Sequence, residues 1–151
     1  MEYEYSYKVS DLKEYIEYLN NNFICESKAK EIRTIYRKEK IIARITIRDN
    51  KMYLDFKENI ISNKDLVTRK ESKEIEFHNL ENCEDILLFL GFIKDNTLVR
   101  TRTIYKGKKI KFEVDEYEKP EKAFVISFEG DKSTCDNQYK ELDNLNKKYK
   151  I

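Results

Sequence analysis

Glycine is scarce in this chain: Gly91, Gly107 and Gly130 are the only three in 151 residues. No P-loop and no GxGxxG stretch can be built from them, so any phosphate must be held by side chains rather than by a glycine-rich cradle. Proline occurs once, at Pro120 in "EYEKPEKA", which reads as a loop. Histidine also occurs once. His78 follows a strand candidate with no Ser or Cys partner nearby, and reads as a surface or structural residue. Cys25, Cys83 and Cys135 are odd in number and far apart, without C-x-x-C spacing. They give neither a disulfide framework nor a zinc site, and three reduced thiols in a cytoplasmic protein are expected. The longest apolar run, "ILLFLGFI" at 86–93, is well short of the ~18 residues that a membrane span needs. No signal peptide is evident, and no membrane partner is expected. A charge bias is missing too. The 30 basic and 29 acidic side chains leave a net charge of +1, which argues against a generic nucleic-acid or membrane-surface binder but allows a local patch. No repeat, linker or low-complexity segment divides the chain, so one domain over 1–151 is expected.

Charge and tyrosine are abundant: 39% of residues are charged and 11 are Tyr. They alternate. "EYEYSYKV" at 2–9 sets Glu2, Glu4, Ser6 and Lys8 against Tyr3, Tyr5, Tyr7 and Val9, the period of a strand with one charged and one aromatic face. "IRTIYR" puts Arg33 and Arg37 on one face, and "ARITIR" sets Arg44, Thr46 and Arg48 opposite Ile45 and Ile47. The Asp49-Asn50 turn leads to "MYLDFK", with Asp55 and Lys57 opposite Leu54 and Phe56. "VRTRTIY" sets Arg100 and Arg102 together. The turn at "YKGKK" returns as "KIKFEVD", with Lys111, Glu113 and Asp115 facing away from Phe112 and Val114. "AFVISFEG" closes the series, with Ser127 and Glu129 opposite Ile126 and Phe128. Three helices are expected. One is capped by Ser10 and carries Tyr15 and Leu19 inward, one follows Asn82 and stops at Gly91, and one starts near Ser133 or Thr134. Residues 37–40 read as a solvated hairpin tip, and residues 20–30 and 58–67 as loops.

About eight strands with one charged face allow two arrangements. A flat antiparallel sheet would turn that face to water. A curled sheet would turn it inward and place helices on the apolar outside. Arginine on strand after strand, interleaved with carboxylates, favours the barrel. Arg forks grip phosphate oxygens, and carboxylates beside them are useful if they hold a divalent cation against those phosphates. Glu2 and Glu4 are then candidate metal ligands.

These pieces, in this order, resemble the CYTH domain, or triphosphate tunnel metalloenzyme family, across roughly residues 2–130. Its Glu-x-Glu-x-Lys strand is matched by "EYEYS", its lysine strand by "YLDFK", its helix ending in Leu-Gly-Phe by "EDILLFLGF", its basic pair by "VRTRTIY" and its last signature by "SFEG". The resemblance implies an α+β fold: an eight-stranded antiparallel β-barrel, the triphosphate tunnel, flanked by helices. It implies metal ligation by Glu2, Glu4 and Glu129, and phosphate binding by Arg33, Arg44, Lys57, Arg69, Arg100 and Arg102, with Lys8 as a further candidate. Glu71, or in another register Glu74 with Glu76, and Asp115 would complete the metal or water-orienting set. The implied cofactor is Mg²⁺ or Mn²⁺, and the implied partner a triphosphate-containing small molecule. Ser6 stands where the family has lysine, Ser127 where it has the first glutamate of the last signature, and Thr46 where it has a second arginine.

Three functions compete. One is metal-dependent hydrolysis of inorganic, nucleoside or thiamine triphosphate, with a class IV-type adenylate cyclase as its variant. Another is an impaired tunnel that binds nucleotide or polyphosphate as a sensor or sequestering protein. The last is a β-rich interaction domain with solvated charges.

Overall fold

The computed structural model describes residues 2–62 and 66–149; the side chains of Glu2, 59–62, 66–69, 143–144 and 146–149 lie outside the described set. The elements run β1 (Glu2–Val9), α1 (Lys13–Asn22), β2 (Ile24–Lys38), β3 (Ile41–Arg48), β4 (Lys51–Ser62) and β5 (Leu66–Glu71). They continue with β6 (Ile75–Phe77), α2 (Leu80–Phe89), β7 (Ile93–Lys106), β8 (Ile110–Lys119), β9 (Ala123–Gly130) and α3 (Lys132–Tyr149). Paired neighbours follow the order β3–β2–β7–β8–β9–β1–β5–β4, and β3 also pairs with β4, so eight strands curl back on themselves. Every pairing is antiparallel. The short β6 pairs with β4 at Met52–Leu54, on the edge that β5 takes further along, because β3 holds the other edge. This is the expected α+β barrel with flanking helices.

The alternation decides which face goes where. Tyr7, Val9, Phe112, Val114, Ile126 and Phe128 point outward, beneath Tyr15 and Leu19 of α1 and Leu142 of α3. Tyr36, Ala43 and Ile45 form a second cluster with Cys83 and Leu87 of α2. The helices therefore seal the outside of the barrel, and the charged rows are left facing in. Two turns need special backbone. Asp49 and Asn50 take positive φ of 53° and 62°, as a tight two-residue hairpin demands. Gly130 ends β9 where an added Cβ would come within 2.5 Å of the Lys109 carbonyl oxygen.

Helix starts and two connecting segments differ in detail from the expectation. α1 starts at Lys13, whose N–H is accepted by Asp11 Oδ1 at 2.9 Å. α2 starts three residues before the expected Asn82 boundary, because Asn79 Oδ1 accepts the Asn82 N–H at 2.9 Å. Asp131 does the same for Thr134 at 2.8 Å, so α3 begins at Lys132. The expected loops at 20–30 and 58–67 are largely strand among their described residues, since β2 starts at Ile24, β4 runs to Ser62 and β5 starts at Leu66, while 63–65 lie outside the described residues.

The outer packing makes a direct prediction. Leu19 is 1% exposed, and Leu19→Ala is expected to cost about 2–5 kcal/mol in urea unfolding. Ile86 is 60% exposed, and Ile86→Ala is expected to change stability by less than about 0.5 kcal/mol.

Candidate functional site

The barrel encloses a cavity of about 740 Å³. Among the described residues its wall carries nine Lys or Arg side chains and ten Asp or Glu side chains. Such a density of buried charge is tolerable only if the groups neutralise one another, and they do. Glu31, 2% exposed on β2, accepts from Arg100 Nε at 3.0 Å, from Arg100 Nη2 at 2.9 Å and from Arg48 Nη1 at 2.7 Å. Asp115 on β8 receives Arg102 through two parallel bonds of 2.7 and 2.9 Å, while Arg102 Nη1 donates to Glu113 at 2.8 Å. Arg44 on β3 is gripped by its register neighbour Asp55 and donates to Glu71 at 2.8 Å. Burial alone would raise the Glu31 carboxyl, but Arg100, Arg102, Arg33 and Arg48 outweigh it and hold the group at about 2.

Arg33 is different. Its Nε donates to Thr46 Oγ1 at 2.9 Å, and it enters no ion pair among the described residues. It is 6% exposed. Burial, and then the neighbouring Arg100, Arg44 and Arg102, bring its guanidinium down to about 9. Glu31 offsets these only in part, and beside a buried cation with three cationic neighbours an anion lowers the energy of the whole group.

Carboxylates gather on the strands across the ring. Oxygens of Glu4 (β1), Glu113 (β8) and Glu129 (β9) lie within 4.8 Å of one another. Glu4 is the register partner of Glu129, which in turn faces Lys111. The Lys111 ammonium sits 3.7 Å from Glu113 and 3.6 Å from Glu129. Burial opposes the charge on Glu113, yet Arg102, Lys111, Arg100 and Arg33 together hold its carboxyl at about 2. The trio is made of hard oxygen donors and offers one ligand atom per residue. That donor set fits Mg²⁺ or Mn²⁺, which take a few carboxylates and complete their shells with water or phosphate oxygens.

The structure brings most of the sequence-predicted residues to this cavity. Glu4, Arg33, Arg44, Lys57, Glu71, Glu74, Arg100, Arg102, Asp115 and Glu129 all line it. The side chains of Glu2 and Arg69 lie outside the described residues; their backbones pair across β1 and β5. Lys8 shares the inward parity of Glu4 but sits beyond the lining, half exposed and 3.7 Å from Glu121. Glu76 is on β6, opposite Tyr53 and beyond the lining, 4.0 Å from the exposed His78. The alternative registers resolve into Glu71 on β5 and Glu74 in the following link; Glu74 bonds Arg48 at 3.0 Å. Arg37, read as part of a hairpin tip, belongs to β2, pairs with Asp95 and lines one mouth.

Sequence reasoning passed over Glu31, Asp55 and Glu113 as site residues. Asp55 and Glu113 already lay on the charged face. Glu31 gave no such signal, because it falls in "ICESKAKE", where apolar alternation is absent. The two serine departures prove to be one. Ser6 and Ser127 are register partners across β1 and β9, and their hydroxyls hydrogen-bond at 3.0 Å. An expected lysine and an expected glutamate are thus replaced together by a neutral pair, without changing the net charge of the wall.

The chain matches no protein-family model and no curated protein sequence. Its fold matches several solved structures. A conserved hypothetical protein from Pyrococcus furiosus is 22% identical, with a TM-score of 0.75 over 97% of this chain and 89% of its own. A Hippeastrum protein proposed as an adenylyl cyclase, and described as having a dominant triphosphatase activity, is 14% identical, with a TM-score of 0.73 over 99% and 90%. A chain of the Schizosaccharomyces pombe Mediator head module is 6% identical, with a TM-score of 0.69 over 100% and 97%. At these identities the likeness establishes the fold, which is the tunnel fold. Among the described residues, no helix is long and apolar enough to cross a membrane.

The Glu31 network has a pH signature. A carboxyl held below its unfolded value of 4.5 stabilises the fold above that pH and stops doing so as pH falls through about 2. Stability is expected to fall across that window, with a shallower slope in Glu31→Gln. Glu31→Ala, which strands Arg100, is expected to cost about 3–5 kcal/mol in urea unfolding at neutral pH.

Proposed function

We propose that this chain binds a triphosphate together with a divalent cation inside the barrel and hydrolyses it to diphosphate and phosphate. The observation that carries this reading is that the Glu4–Glu113–Glu129 trio and the buried Arg33, which enters no ion pair among the described residues, line one cavity. Glu4, Glu113 and Glu129 would hold Mg²⁺ or Mn²⁺, which supplies charge neutralisation at the phosphoryl oxygens and orients a water. Arg33 would take phosphate charge directly. Arg44, Arg100 and Arg102 are already aimed by Asp55, Glu31 and Asp115, so little ordering remains to be done when ligand arrives. Glu71, Glu74 and Asp115 serve the arginines in the resting cavity, which makes them first of all positioning groups. Water would attack the terminal phosphorus, the bond to the bridging oxygen would break, and the diphosphate would leave with the electron pair.

The Ser6–Ser127 pair favours a second reading, in which the same cavity binds the ligand and turns it over slowly or not at all. The cyclase variant differs in its product, a cyclic nucleotide from ATP. Phosphate release from tripolyphosphate and ATP, with Mg²⁺ or Mn²⁺ and with chelator, separates these. Metal-dependent release, lost in Glu4→Gln and Glu113→Gln with the fold intact, is the expected result. Release that persists in chelator, or in both variants, would refute the site.

A further inference from the structure

Lys111 differs from the other cations of the wall in how it is held. It lines the cavity from β8 and is the register partner of Glu129, itself the register partner of Glu4. Its ammonium lies 3.7 Å from Glu113 and 3.6 Å from Glu129, so it faces two members of the carboxylate trio. Among the described residues it makes no other ion pair. Arg102 also reaches Glu113, at 2.8 Å, but two parallel bonds to Asp115 fix its guanidinium, and its side chain is 14% exposed. Arg100 is fixed by Glu31 and is 3% exposed. The Lys111 side chain is 35% exposed. Its charge is a compact point on a flexible four-carbon stem, with no planar fork to satisfy.

A divalent ion at the trio would draw on the same carboxylate oxygens as this ammonium, and two cations a few ångströms apart repel each other. One of the resident cations must then give way. Arg102 is pinned by its fork to Asp115, whereas Lys111 is tied only to the oxygens that the incoming ion takes. Building on the triphosphate reading above, we propose that Lys111 is an exchangeable counterion: it neutralises the Glu4–Glu113–Glu129 trio in the resting cavity, gives way to the divalent cation, and then serves the phosphates as a further anion-binding group. Lys111 thereby couples the two ligands. Held by the trio, it weakens metal binding; released from it, it adds a positive charge to the wall where the phosphates enter.

Lys111→Met in the full chain tests this, with Mn²⁺ alone as the first probe and the paramagnetic resonance of the free ion as the readout. The variant is expected to bind Mn²⁺ about tenfold tighter than the unmodified chain, because a competing charge is gone. Lys30→Met removes a charge from an exposed position, paired with Glu118 and outside the lining, and is expected to change that affinity by less than about twofold. Tripolyphosphate is the second probe. In saturating Mg²⁺, isothermal titration is expected to show it binding about tenfold more weakly to Lys111→Met. Lys111→Gln is expected to act alike, and a melting curve verifies that each variant folds. Mn²⁺ affinity that stays the same or falls in both Lys111 variants would overturn the exchange while leaving the carboxylate site standing. So would tripolyphosphate affinity that is unchanged in both. Absence of Mn²⁺ binding in the unmodified chain and in every variant would overturn the metal reading and the exchange with it.

Discussion

Arg100 and Glu31 meet in the barrel wall with 3% and 2% of their side chains exposed. Burying either alone would be costly, and together they are tolerable because each is multiply hydrogen-bonded. The same constraint repeats around the ring, in Arg102 with Asp115 and Glu113, and in Arg44 with Asp55 and Glu71. A cavity wall of this kind can exist only where neighbouring strands hold complementary charges at fixed register. The architecture follows from that requirement. Closing the sheet brings β3 to β4 and β1 to β5, and the helices then cover what the strands turn outward.

Mutual neutralisation also shapes the function proposed for the cavity. With ten carboxylates against nine cations among the described lining residues, the wall has no surplus positive charge for a bare polyanion. A divalent ion at Glu4, Glu113 and Glu129 would tip that balance, and Arg33 stands ready as a buried cation without a described ion pair. Lys111, poised between Glu113 and Glu129, fills part of that role in the resting wall. Metal and phosphate should therefore bind as mutually dependent ligands rather than as independent ones.

Much of this was legible in the sequence, because a period of two assigns each strand residue to one face. Glu4, Arg33, Arg44, Lys57, Arg100, Arg102 and Glu129 reach the cavity for that reason. What alternation cannot give is register and extent. Lys8 has the right parity but lies past the end of the lining, and Glu76, on the short β6, also lies beyond it. Glu31 was hidden because the first half of β2 is exposed on both faces and carries an irregularity between Cys25 and Ser27. The Ser6–Ser127 pair read as two losses because cross-strand partners are separated by 121 positions in sequence.

The most direct test of this account is the melting temperature of the purified chain with tripolyphosphate alone, Mg²⁺ alone, and both. Ligands that bind the folded state raise it by mass action. Interdependent binding predicts a small rise with either alone and a rise well beyond their sum with both. A full rise with tripolyphosphate in the presence of chelator, or no rise under any condition, would contradict it.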